Sequence, residues 1–157
     1  MTHFLMNVLS ALVWIALTGE FTPANLALGF GVGYLALWSA RRALPETAYF
    51  GKVFQVAGFG LFFLWELVKA NLRVAYDILT PSHHMKPAVV AVPLELTDER
   101  AIVLLAILIT LTPGTLGLDV STDHRVLYVH AMYVEDLDEF RASIKEGFEK
   151  RVVEIMR

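Results

Sequence analysis

The sequence predicts a chain in two parts. The first is a membrane α-helical hairpin with an additional helix, interfacial or a third transmembrane span, and the second is a small cytoplasmic α+β domain of order β-α-β-β-α. Composition is the first support: 56% of the 157 residues are hydrophobic, only 18% are charged, and mean hydropathy is +0.55. Soluble domains are about 45–50% apolar and about a quarter charged, so a disordered tail, a basic nucleic-acid binder and a disulfide scaffold are all excluded. Charge placement is the second support. Through Lys86 six basic residues face four acids, whereas from Pro87 onward seven face twelve, a local net charge of −5. The break falls in residues 80–87, where Pro81 and Pro87 bias their predecessors away from helix, giving a membrane region 1–79, a linker 80–87 and a domain 88–157. With no cysteine, thiolate chemistry and disulfides are ruled out.

The first apolar run, Phe4 to Leu17, is interrupted only by Asn7 and Ser10, and with its flanks it reaches about 28 Å at 1.5 Å per residue. No Lys or Arg precedes it and no small-residue cleavage site comes after it, which argues against a signal peptide. Ala24 to Ala40 forms the second run, with Pro23 where a first helical turn tolerates proline. Thr18 to Thr22 join the two as a tight hairpin. Arg41, Arg42 and Lys52 flank the next loop while the hairpin tip carries only Glu20, so the positive-inside bias places that loop and the N-terminus in the cytoplasm. Gly29 to Gly33 superficially suggest a dinucleotide loop, but no strand precedes them. Gly29 and Gly33 instead have the spacing of a close helix-packing face.

The third apolar segment, Val53 to Leu79, carries its polar residues as a stripe: Gln55, Glu66, Lys69, Arg73 and Asp77 share one side of a 3.6-residue helix. Two readings stand. A spanning helix would make Glu66 and Lys69 an intramembrane pair able to relay protons; an interfacial helix would turn the stripe toward water or a partner protein. Charges crowd the C-terminal half and leave a stretch from Val53 to Trp65 that is short for a span, which favours the interface.

In the second part, Val89 to Leu96 reads as a strand with Val90, Val92, Leu94 and Leu96 on one face. Thr97 is the expected helix cap, with Asp98 and Glu99 in the first turn. The helix to Leu111 is apolar all round and too short to cross lipid, so burial on both faces is expected. Pro113 and Gly114 form a structural turn, Leu116, Leu118 and Val120 alternate along a short strand, and Val126 to Val134 is a central strand. Leu137, Phe140, Ile144, Phe148, Val152 and Ile155 mark an amphipathic final helix. The order is one strand short of the split β-α-β sandwich.

The histidines and acids assemble no reaction centre. His83 and His84 are adjacent in an extended linker with no third ligand beside them, and His130 in an apolar strand reads as a hydrogen-bonded residue. Ser121, Asp119, Asp123 and His124 make a triad on paper that turn chemistry explains at lower cost. No catalytic residue, cofactor or metal ligand is expected, and the chain is not read as an enzyme.

The run from Leu104 to Val134, LLAILITLTPGTLGLDVSTDHRVLYVHAMYV, with Trp65-Glu66-Leu67 through Asn71 and the double arginine Arg41-Arg42, resembles the MnhE family, the E-type component of Mrp-type multisubunit cation/proton antiporters. The resemblance implies a bacterial plasma-membrane assembly of several different hydrophobic proteins that exchanges cytoplasmic Na⁺ for external protons. It also implies that large partner subunits translocate the ions and that this chain is accessory, needed for assembly or stability, with other antiporter subunits and the lipid bilayer as partners and no nucleic acid. Glu66, Lys69, Arg73 and Asp77 are expected to form a subunit contact or a membrane polar stripe. The rival expectation is a membrane-tethered sensor whose cytoplasmic domain binds a small ligand.

Overall fold

The computed structural model describes residues 2–42, 49–81 and 85–156. Ser82, His83 and His84 of the expected linker lie outside the described residues. The chain divides into two compact units, Met1–Phe54 and Gln55–Arg157.

The first unit is a helical hairpin, α1 (Thr2–Thr18) and α2 (Pro23–Ser39), followed by the opening turns of α3 (Tyr49–Leu79). Thr22 caps α2: its side-chain oxygen accepts the Asn25 N–H at 3.1 Å, and Pro23 takes the first helical position, where a missing N–H costs nothing. Outward positions of α1, among them Leu5, Leu9, Leu12 and Val13, are more than half exposed.

The second unit holds the rest of α3 and the elements β1 (Ala88–Pro93), α4 (Glu99–Leu111), β2 (Thr115–Val120), β3 (Val126–Ala131), α5 (Leu137–Ala142), a π-helical segment (Ser143–Glu149) and α6 (Lys150–Met156). The sheet order is β1-β3-β2 with both pairings antiparallel. β1 and β2 are therefore parallel with β3 between them, and α4 makes the crossover, a split β-α-β arrangement. The core lies between the sheet's inner face (Val90, Val92, Leu127, Val129) and the helices (Leu105, Ile109, Ile144, Val152), all nearly fully buried. Arg141 Nε donates to the Ala91 carbonyl at 3.0 Å, covering part of the β1 edge that would otherwise offer unpaired backbone.

Four expectations are corrected. Asp98, not Thr97, caps α4: its backbone is extended and its carboxylate accepts the Arg100 N–H at 2.8 Å, an acid being the stronger acceptor there. α4 is buried on one side only, because a three-stranded sheet has one helical layer to offer; Val103, Ile107 and Leu111 stay 57%, 50% and 56% exposed. The expected alternation of β2 is broken by a bulge between Gly117 and Asp119, which turns Val120 toward the core and leaves Leu116 and Leu118 outward. The final helix is continuous but widens into a π-turn, an irregularity that hydrophobic periodicity does not encode.

Acids at the domain surface are held ionised. A hydrogen bond and charge from Lys145 at 2.7 Å keep Glu95 below its ordinary value, the Ser121 hydroxyl and the Arg125 N–H do so for Asp123, and the Glu139 and Asp138 N–H groups for Asp136. Folded values below unfolded ones mean that this stability is complete above the ordinary carboxylate range, about pH 4, and is lost as pH falls through the folded values. Lys145, raised by the same contact, contributes below the ordinary lysine range and loses that share only as pH rises through its folded value. The thermal unfolding midpoint of the full chain is expected to fall on acidification below about pH 4, and Lys145→Met should flatten the part of that limb that Glu95 supplies. An unchanged acid limb would contradict the assignment.

Candidate functional site

Two groups of residues stand out, one in each unit. In the first unit Gly29 and Gly33 are buried on α2 where α1 crosses it. A methyl group on Gly29 would sit 2.9 Å from the Cβ of Trp14; one on Gly33 would overlap the Asn7 side-chain oxygen and lie 2.9 Å from Ser10 Cβ. The Cβ atoms of Trp14 and Ser10 are fixed to the α1 backbone, so they cannot swing aside. Small residues here let the helices approach closely.

Neutral polar groups secure both ends of this seam. At the tip, buried Asn25 accepts from Trp14 Nε1 at 2.9 Å and donates to Thr18 Oγ1 at 2.6 Å and to the Glu20 carbonyl at 2.8 Å. At the other end, fully buried Asn7 donates to the Tyr49 hydroxyl at 2.6 Å, beneath a cluster of Phe4, Tyr34, Phe50 and Phe54 rings. The sequence names Asn7 only as an interruption of an apolar run. A polar amide in such a run must find a partner inside it, and that was the available signal.

In the second unit the stripe on α3 splits in two. Glu66 and Lys69 pair with each other at 2.6 Å, with Lys69 half-exposed and Glu66 a quarter exposed. Arg73 and Asp77 both reach Tyr133, just beyond β3. The Arg73 guanidinium lies over the ring at 5.6 Å, and the Tyr133 hydroxyl donates to the Asp77 carboxylate, itself 4% exposed. Burial and then this hydrogen bond push the Tyr133 hydroxyl above its ordinary value. The same ring rests against the turn at Pro113 and Gly114: Gly114 adopts φ +89°, and a Cβ there would be 3.3 Å from Tyr133 Cε2. Tyr133 thus brings Arg73, Asp77 and Gly114 together. Its hydroxyl inside an otherwise apolar stretch was the sequence signal, since a buried tyrosine oxygen needs a partner.

The π-turn supplies a further contact. Widening frees backbone carbonyls, and Arg151 Nη1 donates to those of Glu146 and Gly147 at 3.1 and 2.7 Å while its guanidinium stacks 3.9 Å over Phe62 of α3. Phe62 also meets Phe148 edge-on at 5.4 Å. Glu149, 3% exposed, turns inward and accepts the N–H groups of Glu95 and Leu96 at 2.6 and 3.0 Å.

These contacts join helix to helix and helix to sheet, and none assembles a nucleophile beside a base. The Ser121 hydroxyl donates to Asp123 at 2.6 Å and accepts the Arg125 and Val126 N–H groups, so the turn consumes it. Among the described residues no group of three or more His, Asp or Glu side chains could hold a metal ion.

Comparison with known proteins places this architecture. Residues 7–155 match the family model MNHE, described as "Na+/H+ ion antiporter subunit". The E-type Na(+)/H(+) antiporter subunit of Bacillus subtilis (strain 168) is 37% identical over 155 residues, covering 99% of this chain and 98% of the relative. Among solved structures, a chain of the membrane-bound sulfane sulfur reductase, an archaeal respiratory membrane complex, is 27% identical with TM-score 0.60, covering 98% of each chain. A chain of the Mrp complex from Dietzia sp. DQ12-45-1b is 31% identical with TM-score 0.50, covering 65% of this chain and 96% of that one. The chain belongs to the MNHE family of Na⁺/H⁺ ion antiporter subunits.

Proposed function

We propose that this chain is an accessory subunit of a multisubunit Na⁺/H⁺ antiporter of the bacterial plasma membrane, holding the complex together rather than carrying ions. The hairpin sits in the bilayer among partner helices, and the β-α-β-β-α domain braces the cytoplasmic face. The observation that carries this reading is the chemistry of the hairpin. From Thr2 to Ser39 the sole Asp, Glu, Lys or Arg is Glu20, at the tip. Ion and proton paths through lipid rely on ionisable groups, and this seam is built instead of glycine, asparagine and aromatic rings. The many exposed apolar side chains of α1 and α2 support a lipid or partner environment, because soluble surfaces rarely expose such continuous patches. Basic residues Arg41 and Arg42 at the end of α2 support a cytoplasmic placement for the loop they open. The Glu66–Lys69 pair, part-exposed, is proposed as a contact with a neighbouring subunit.

Deletion tests the reading. Membranes from cells lacking this chain are expected to lose the intact complex on a native gel and to lose Na⁺ resistance, both restored by the full chain. A complex that assembles at full level without it would overturn the assembly role.

A further inference from the structure

We infer that α3 lies in the plane of the cytoplasmic membrane surface, with the phospholipid interface covering its outward face. The inference rests on the proposed placement of the hairpin in the bilayer and the domain in the cytoplasm. The two long sides of α3 differ. One faces the domain: Phe59 and Phe63 pack on its core, Phe62 meets Phe148 and Arg151, and Arg73 and Asp77 meet Tyr133. The other carries Leu61, Leu64, Trp65, Val68, Leu72 and Leu79, from 48% exposed at Val68 to 83% at Leu79. Their steps of three, one, three, four and seven residues keep them within one broad stripe.

By length and composition α3 passes as a membrane span, yet its packing opposes that. Lipid cannot surround the helix at Phe59, Phe62, Phe63, Arg73 and Asp77, because the charged domain packs against it at these positions. The remaining stretch, Tyr49 to Gly58, reaches only about 15 Å, half of the roughly 30 Å hydrocarbon core.

Lipid is the occupant for two reasons. The helix opens on the hairpin, where Tyr49 accepts from Asn7 and Phe50 and Phe54 pack on Tyr34, so α3 starts at elements already solvated by lipid. The stripe also includes Trp65, an amphipathic ring suited to the headgroup level. An in-plane helix with one apolar face and a polar back is the form such segments take.

The native chain has no cysteine, so single cysteines can be placed at Leu61, Leu64, Val68, Leu72 and Leu79 and spin-labelled in the full-length protein within its complex in liposomes. The expected result is that collisions with oxygen exceed those with a water-soluble nickel chelate at all five sites, with a depth that stays shallow and constant along the helix. A depth that climbs to a maximum mid-helix and falls again would overturn the inference in favour of a span. Protection from both reagents would overturn it in favour of a protein partner. Companion subunits in the same preparation report separately on the accessory role, which stands or falls by their presence.

Discussion

Gly33→Leu is expected to break the α1–α2 hairpin and with it the accumulation of the chain in membranes. Even the Cβ overlaps the Asn7 amide and crowds Ser10, and the rest of a leucine side chain has nowhere to go while the helices keep their spacing. Forced overpacking of this kind reaches about 3 kcal/mol, roughly a hundredfold in the packing equilibrium. Separating the helices would also strand Asn25, whose hydrogen bonds to Trp14 and Thr18 cross from α2 to α1. Gly31→Leu is the control: a Cβ there meets nothing within 4 Å, so the same side chain two residues away should leave membrane levels unchanged. Equal levels for both variants on an immunoblot would remove the close-packing account of this face.

The second large effect is expected in the domain. Glu149→Ala removes the acceptor for the Glu95 and Leu96 N–H groups just past β1 and leaves the buried Leu96 N–H, and the part-buried Glu95 N–H, without that partner. Hydrogen bonds to charged groups contribute about 1.5–3 kcal/mol each, so a loss of about 3–5 kcal/mol is expected in denaturant unfolding of the full chain. Glu149→Gln keeps an oxygen at the same place and should recover most of the loss. If Gln and Ala are equally damaging, the carboxylate's charge matters and its acceptor geometry does not.

Much of this architecture is legible from residue order. The runs of α1 and α2 are continuous in apolar residues, and Pro23 and Pro113 mark boundaries for reasons local to the backbone. The polar stripe of α3 is also visible, since a period of 3.6 survives in any environment. What the stripe faces is not. Glu66 turns to Lys69 three residues away, but Arg73 and Asp77 turn to Tyr133, more than fifty residues on, and nothing local encodes a partner at that separation. The bulge in β2 was hidden for a similar reason. Gly117 lies against α4, where its N–H donates to Thr110 Oγ1 at 3.1 Å; that tertiary contact, and not the alternation of Leu116, Leu118 and Val120, sets the register. Glu149 sits between apolar positions of the final helix that the sequence does mark, Phe148 and Val152. The π-turn rotates it inward, and hydrophobic periodicity cannot register one extra residue in a turn.

The close fit of α1 on α2 and the anchoring of α3 to the domain by Tyr133, Phe62 and Arg151 describe a chain whose polar groups are spent on holding its own elements in place. Its outward surfaces are left for lipid and for other subunits. That division is what the deletion experiment probes, and quantifying it by native-gel densitometry against transport in the same vesicles makes it sharpest. Loss of the complex and of Na⁺-dependent proton exchange in parallel, with both returning when the full chain is supplied, is the predicted result; an intact complex that has lost only its exchange activity would contradict it, because the missing chain would then be part of the ion path.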